Sequence, residues 1–281
     1  MRVPCSRLRA VLLRVCLAAV VGAPFVLAPG SVTVASAEGA RDRFDVVVVD
    51  AGHGGDDQGA RGRGGVVEKQ LVLDVSKRLT RRLRKRGLTV VLTREDDRFV
   101  PLEERTSVAN DARGDLFISI HANSARSAGA RGIETYFVSL EASDASSQQL
   151  AARENQAFGE EKPAALVLDP LSAILGDMAV NEHVRESSRF AKRAHAELAR
   201  VDPAPSRGVK QAPFVVLMGV RMPATLVEIG FLSNREDERS LARADRRDAI
   251  ADALARAVVS FGQDYDRRRG VAGVGAFQEG S

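Results

Sequence analysis

Two histidines and two glutamates are placed where they could do chemistry together: His53, Glu68, His121 and Glu228. His53 lies in "VVVVDAGHGGDDQGARGRGGVVEK" (residues 46–69), where four valines empty into a stretch with seven glycines and Glu68 stands near the far end. Imidazole nitrogens and carboxylate oxygens are the donors of hydrolytic metal sites. A glycine-rich loop also admits a phosphate cradle or a plain surface connection, since glycine permits positive φ and close backbone approach. The phosphate reading lacks its parts: there is no P-loop signature, GxGxxG is not matched in frame before a helix, and Asp56 and Asp57 would repel a phosphate. The metal reading gains from placement. His53 follows one apolar run, His121 ends another in "DLFISIHANS", and Glu228 ends "PATLVE". Carboxyl ends of strands are where open α/β sheets gather ligands. Glu68 begins a helix, and the loop that His53 opens can fold it back. A lone histidine at a strand end is more often structural, but four such residues at one sheet edge argue for a shared ion.

The elements that must position these residues are legible from periodicity. Residues 44–50 read as a strand whose unbroken valines suit a sheet covered on both faces. Leu71, Val72, Val75, Leu79 and Leu83 recur at helical spacing until Gly87. The opposite face, with Lys77, Arg78, Arg81, Arg82, Arg84 and Lys85, reads as solvated rather than as an anion site. Strands are expected at residues 89–93, 116–120 and 132–138, and a helix at 101–112. Pro223 separates short apolar runs at 214–217 and 225–227, and one helix over about 236–261 closes the domain. This alternation predicts an α/β fold: a mixed, largely parallel sheet with helices on both faces. Residues 142–201 exceed what a crossover needs. They read as a helical insertion near the active site, with His183 and His195 facing solvent. Residues 266–281 read as a disordered tail.

Residues 1–37 read as an export leader. Arg2, Arg7, Arg9 and Arg14 precede an apolar stretch at 11–27, and Ala35-Ser36-Ala37 supplies a small-x-small cleavage pattern. Pro24, Pro29 and Gly30 argue against a retained spanning helix, which needs roughly 20 apolar residues. Both cysteines, Cys5 and Cys16, lie in the leader, so residues 38–281 hold neither a disulfide nor a nucleophilic thiol. Four of the 41 basic residues leave with it, and the remaining 37 balance 37 acidic ones. Nothing in that balance suggests nucleic acid.

The stretches "VVVDAGHGG", "DLFISIHANS", "GVKQAPFVVL" and "MPATLVEIGFLSN", in this order over residues 46–261, resemble the zinc-dependent N-acetylmuramoyl-L-alanine amidases of the amidase-3 type. The resemblance implies a peptidoglycan hydrolase that cuts the amide between the lactyl group of N-acetylmuramic acid and L-alanine. By position it implies one zinc ion on His53, Glu68 and His121, with Glu228 in "VEIGF" as the catalytic glutamate. The chemistry agrees: two imidazoles and a carboxylate leave a zinc position open for water, and a second carboxylate can move the protons. With no thiol, no GxSxG elbow and no HExxH, covalent and zincin mechanisms lack their residues. Rival readings are another zinc-dependent cell-wall peptidase or deacetylase, and a wall-binding module with an inactive metal site. Asp50, Arg94, Arg105, Asn123, Lys210 and Asn234 fall in matching stretches as support or substrate contacts.

The stretch "EASDASSQQLAARENQA" further resembles the insertion of cell-division amidases, in which a helix covers the site until an activator displaces it. That likeness implies Glu154 as an additional, autoinhibitory metal contact and a degenerate LytM-type peptidase domain as partner. The expected organisation is a leader (1–37), a catalytic domain (38–265) and a tail (266–281). The chain is expected to be exported to periplasm or cell wall as a monomer without stable membrane insertion.

Overall fold

The computed structural model describes residues 43–158 and 170–271. The expected leader and most of the expected tail lie outside the described residues. Val46–Ala51 forms β1, Glu68–Arg84 α1, Thr89–Leu92 β2, Leu102–Asp111 α2, Leu116–Asn123 β3 and Glu134–Val138 β4. Ala145–Glu154 forms α3 and runs on through a 3-10 turn; Pro170–Ala199 is α4. Val209–Ala212 forms β5, Val215–Met218 the short α5, Ala224–Phe231 β6, Arg235–Ala242 α6 and Ala244–Arg269 α7.

The sheet order is β2-β1-β3-β6-β4-β5. β2, β1, β3 and β6 run parallel; β4 is antiparallel to β6, and β5 runs parallel to β4. The expected mixed α/β sheet with helices on both faces is the fold observed. Alternation along each strand divides the core. Val47, Val49, Ile118, Ile120, Val227 and Ile229 pack under α1, α4 and α7. Val48, Phe117, Ala224 and Leu226 pack under α2, α3 and α5. Both faces are buried, which is why β1 and β3 carry unbroken apolar runs. By the same alternation Asp50, Ser119, His121 and Glu228 point to the α2–α3–α5 side.

The single closing helix is corrected to two. Arg243 adopts an extended conformation (φ −81°, ψ 136°) between α6 and α7. Arg247 reaches back to the carbonyls of Leu241 and Ala242 at 2.9 and 2.8 Å. A side chain therefore satisfies the end of α6, with no proline or glycine to signal it. α7 runs to Arg269, past the expected start of the tail at 266. The later half of α4 belongs to the sandwich, because Phe190, Ala194 and Leu198 are fully buried in the core. His195 is buried rather than solvent-facing: its nitrogens meet Thr135 Oγ1 at 3.2 Å and Ser206 Oγ at 2.6 Å. His183 is half-buried beside Val138 and Met222 in an apolar cavity. Among the described residues no helix is long and apolar enough to cross a membrane.

Candidate metal centre

β1 delivers His53 two residues beyond its end, in the left-handed region (φ 57°). The loop then returns to Glu68 at the start of α1, tied by Glu68 N to Ala60 O at 2.9 Å. The Glu68 carboxylate is held by two backbone amides, Ala60 N on Oε2 at 2.7 Å and Ala122 N on Oε1 at 2.9 Å. Two glycines are required by space. A Cβ on Gly52 would sit 2.3 Å from the His121 ring, and one on Gly59 (φ 63°) would sit 2.6 Å from both Glu68 and His53. The glycines thus serve close packing of a polar cluster, which is the question the phosphate and surface readings left open.

β3 and β6 supply the other side. His121 is paired across the ladder with Glu228, and a register shift follows at once between His121 and Asn123. Glu228 lies inside β6 rather than at its end, since the strand continues to Phe231. His53, Glu68 and His121 offer ligand atoms within 4.8 Å of one another; so do His121, Glu154 and Glu228. His53 Nε2 lies 3.1 Å from Glu68 Oε1, and His121 Nδ1 lies 3.2 Å from the same oxygen. Glu154, at the end of α3, brings Oε2 to 3.3 Å from His53 Nε2 and 3.2 Å from His121 Nδ1. All five side chains named from the sequence therefore meet in one place.

The electrostatics of that place favour a cation. Burial alone would lower the His121 pKa, yet the Glu154 and Glu68 carboxylates push it up to about 10. Burial also opposes protonation of His53, and Glu68, Asp57 and Glu154 together raise it well above the usual imidazole range. In return His53 and His121 hold Glu68 down to about 2, against burial, and hold Glu154 well below the carboxyl range. Burial, with Glu154 and Glu68 adding to it against His121, pushes Glu228 well above that range. Among the described residues, the buried side-chain atoms without a hydrogen bond are His53 Nε2, both Glu228 oxygens and Ser76 Oγ. Three of the four converge here. Imidazole nitrogens with a carboxylate oxygen are a zinc donor set, so the residues fit such an ion.

α3 is fastened where Glu154 enters. Asp144 caps its first turn by accepting from Ser147 N at 2.7 Å. At the far end Arg153 donates to Ser124 O at 2.6 Å and Asn123 Oδ1 at 3.0 Å. Asn155 bonds Pro213 O and Val215 N at 2.8 and 2.9 Å. A groove beside the cluster is lined by Asp57, Phe99, Ser124, Arg153 and Gln156.

The undecided support residues separate. Asp50, Arg94 and Arg105 are buried beneath the His53 loop. Asn123 and Lys210 both bond Glu134, at 3.1 and 2.9 Å, and Asn234 caps α6. Asp57, which the sequence suggested only as a repeller of phosphate, bonds His53 Nδ1 at 2.8 Å. Its position four residues after a histidine in a turning loop was the available signal.

A family model described as N-acetylmuramoyl-L-alanine amidase matches residues 47–260. The chain is 37% identical over 226 residues to the N-acetylmuramoyl-L-alanine amidase AmiA of Escherichia coli K12, covering 80% of this chain and 78% of that one. It is 32% identical over 229 residues to AmiC of Escherichia coli O6:H1, at 80% and 54% coverage. The solved amidase AmiC2 of Nostoc punctiforme superposes with a TM-score of 0.60 at 28% identity, covering 78% of this chain and 98% of that one.

Proposed function

The chain belongs to the N-acetylmuramoyl-L-alanine amidase family, and from that membership we propose how it cuts its substrate. The bond is the peptidoglycan amide between the lactyl group of N-acetylmuramic acid and L-alanine. In this reading His53 Nε2, Glu68 and His121 Nδ1 hold one zinc ion, and Glu228 moves the protons. Zinc there would acidify a water towards neutral pH and polarise the amide carbonyl.

The rest is the work of the chain's own residues. Glu228 takes a proton from the attacking water as oxygen bonds to the lactyl carbonyl carbon. It returns that proton to the alanine nitrogen as the C–N bond breaks, leaving a lactyl carboxylate and a free amino terminus. A buried carboxyl that no neighbour bonds is suited to hold a proton between those steps. The observation carrying the reading is this convergence of His53 Nε2, unbonded, on Glu68 and His121 beside an unbonded Glu228. Product analysis of digested sacculi tests it: free L-alanine amino termini with intact glycan are expected. A cut within the stem peptide, or released acetate, would transfer the site to a peptidase or deacetylase.

The same reading gives α3 a regulatory role. With its Oε2 3.3 Å from His53 Nε2 and 3.2 Å from His121 Nδ1, the Glu154 carboxylate would compete with water and substrate for the metal, and a partner such as a degenerate LytM-type domain would draw α3 away. Residues 1–37 act as an export leader, since peptidoglycan lies outside the cytoplasm. Amino-terminal sequencing of exported protein is expected to start at Glu38; a start at Met1 would remove the leader.

A further inference from the structure

We infer that Asp57 is a positioning residue of this hydrolase, fixing the ring and tautomer of His53 so that Nε2 presents its lone pair to the metal. The inference rests on the zinc reading above. His53 is one of two non-glycine residues at positive φ among those described, and its loop turns back on itself at once. Gly54 N donates to Asp57 O at 2.9 Å, and Asp57 N donates to Gly54 O at 3.1 Å. This two-bond ladder sets the Asp57 carboxylate against the ring. Oδ2 lies 2.8 Å from His53 Nδ1, while Oδ1 accepts from Gly59 N at 3.0 Å, so neither oxygen is free to rotate away. Gly59 backs the ring's Cδ2–Cγ edge, and Arg105 Nη2 holds the His53 carbonyl at 2.9 Å.

The chemistry follows from what a carboxylate can do. It only accepts hydrogen bonds, so a neutral His53 ring keeps its proton on Nδ1 and carries the lone pair on Nε2. Nε2 is the atom facing Glu68 and Glu154, and it makes no hydrogen bond. Asp57 holds the ring from the opposite edge, through Nδ1. Metal-ligating histidines held this way lose roughly 10–100-fold in metal affinity when the outer partner is removed. Asp56, its exposed neighbour, is the internal control.

The test is the zinc dissociation constant of the purified protein, measured by competition with a chelator, alongside the melting temperature of each metal-free protein. Asp57→Ala is expected to weaken zinc by roughly 10–100-fold in a protein that still folds without metal, its metal-free melting temperature lowered only by the loss of the Asp57 contacts to His53 and Gly59. Asp57→Asn keeps an accepting oxygen and is expected to fall between Ala and the parent; Asp56→Ala is expected to match the parent. His53→Ala separates the two claims. If it binds zinc as the parent does, the metal reading itself fails. If it loses zinc while Asp57→Ala binds with parental affinity, the positioning role alone is overturned. Should the Ala variant fold poorly, Asn carries the same test: weakened zinc supports the role, and parental affinity overturns it.

Discussion

Two buried polar clusters share one face of the sheet a few residues apart, and they are opposites. Behind β1, Asp50 accepts from Thr93 Oγ1 (2.6 Å) and Arg105 Nη1 (2.7 Å) on one oxygen and from Ser119 Oγ (2.7 Å) on the other. Arg105 also holds the carbonyls of Val100, Ala51 and His53, and Arg94 those of Ala51, Gly52 and Lys69. No charge there is left without a partner. In front, His53 Nε2 and both Glu228 oxygens are buried and make no hydrogen bond. Natural proteins rarely leave such groups without a partner, whether protein, ordered water, an ion or a reacting substrate. The closed network supports; the open one works.

Substitutions should tell the two apart by which property collapses. Glu228→Gln is expected to keep its zinc and melt no lower than the parent, while muropeptide release falls roughly 10²–10⁴-fold, the span of general acid–base catalysis. Normal release would remove Glu228 from the chemistry. Arg105→Ala is expected to show the reverse emphasis, with unfolding free energy lower by about 3–5 kcal/mol because Asp50 is left as an unpaired buried charge. A loss under about 1 kcal/mol in a denaturant titration would mean that the network is not closed as described.

Intermediate effects probe the link between the clusters and α3. Glu154→Ala, which removes a charged contact worth about 1.5–3 kcal/mol, is expected to raise basal hydrolysis of purified peptidoglycan roughly ten- to a hundredfold. Unchanged basal activity would end the resting-state proposal. Asp50 makes the supporting cluster pH-sensitive. Burial would raise its pKa, but Arg105, Ser119 and Thr93 together hold it below the usual carboxyl range. Its contribution is therefore complete above the unfolded value near 3.9 and is lost as pH falls from there through the lower folded value, by at most about 1.4 kcal/mol per unit. Asp50→Asn should remove that slope; an unaltered acid limb would place the acid sensitivity elsewhere. Smallest of these, Asp144→Ala removes the cap of α3 at a cost of about 1 kcal/mol, and basal hydrolysis should rise a few-fold. No rise would mean that the cap does not hold Glu154 in place.

Much of the working cluster was legible in the sequence because unbroken apolar runs and the strand ends that close them are local signals. The valines of β1, the run into His121 and the start of α1 at Glu68 each announce themselves, and the resemblance named Glu154. What was hidden lies in side-chain contacts that no apolar pattern announces. The break at Arg243 depends on Arg247 reaching back to the end of α6, and the burial of His195 depends on Ser206 and on Thr135, the latter distant in the chain. β5 is four residues long with Lys210 and Gln211 inside it, so no alternation marked it. Asp57 was visible but lacked a role until the turn at His53 brought it against the ring.

Anomalous diffraction at the zinc edge, from a crystal of the zinc-loaded chain, tests the central claim most directly. A single peak enclosed by His53 Nε2, Glu68 and His121 Nδ1 is the expected result. A zinc peak elsewhere, with these three side chains bonded only to one another, would contradict it.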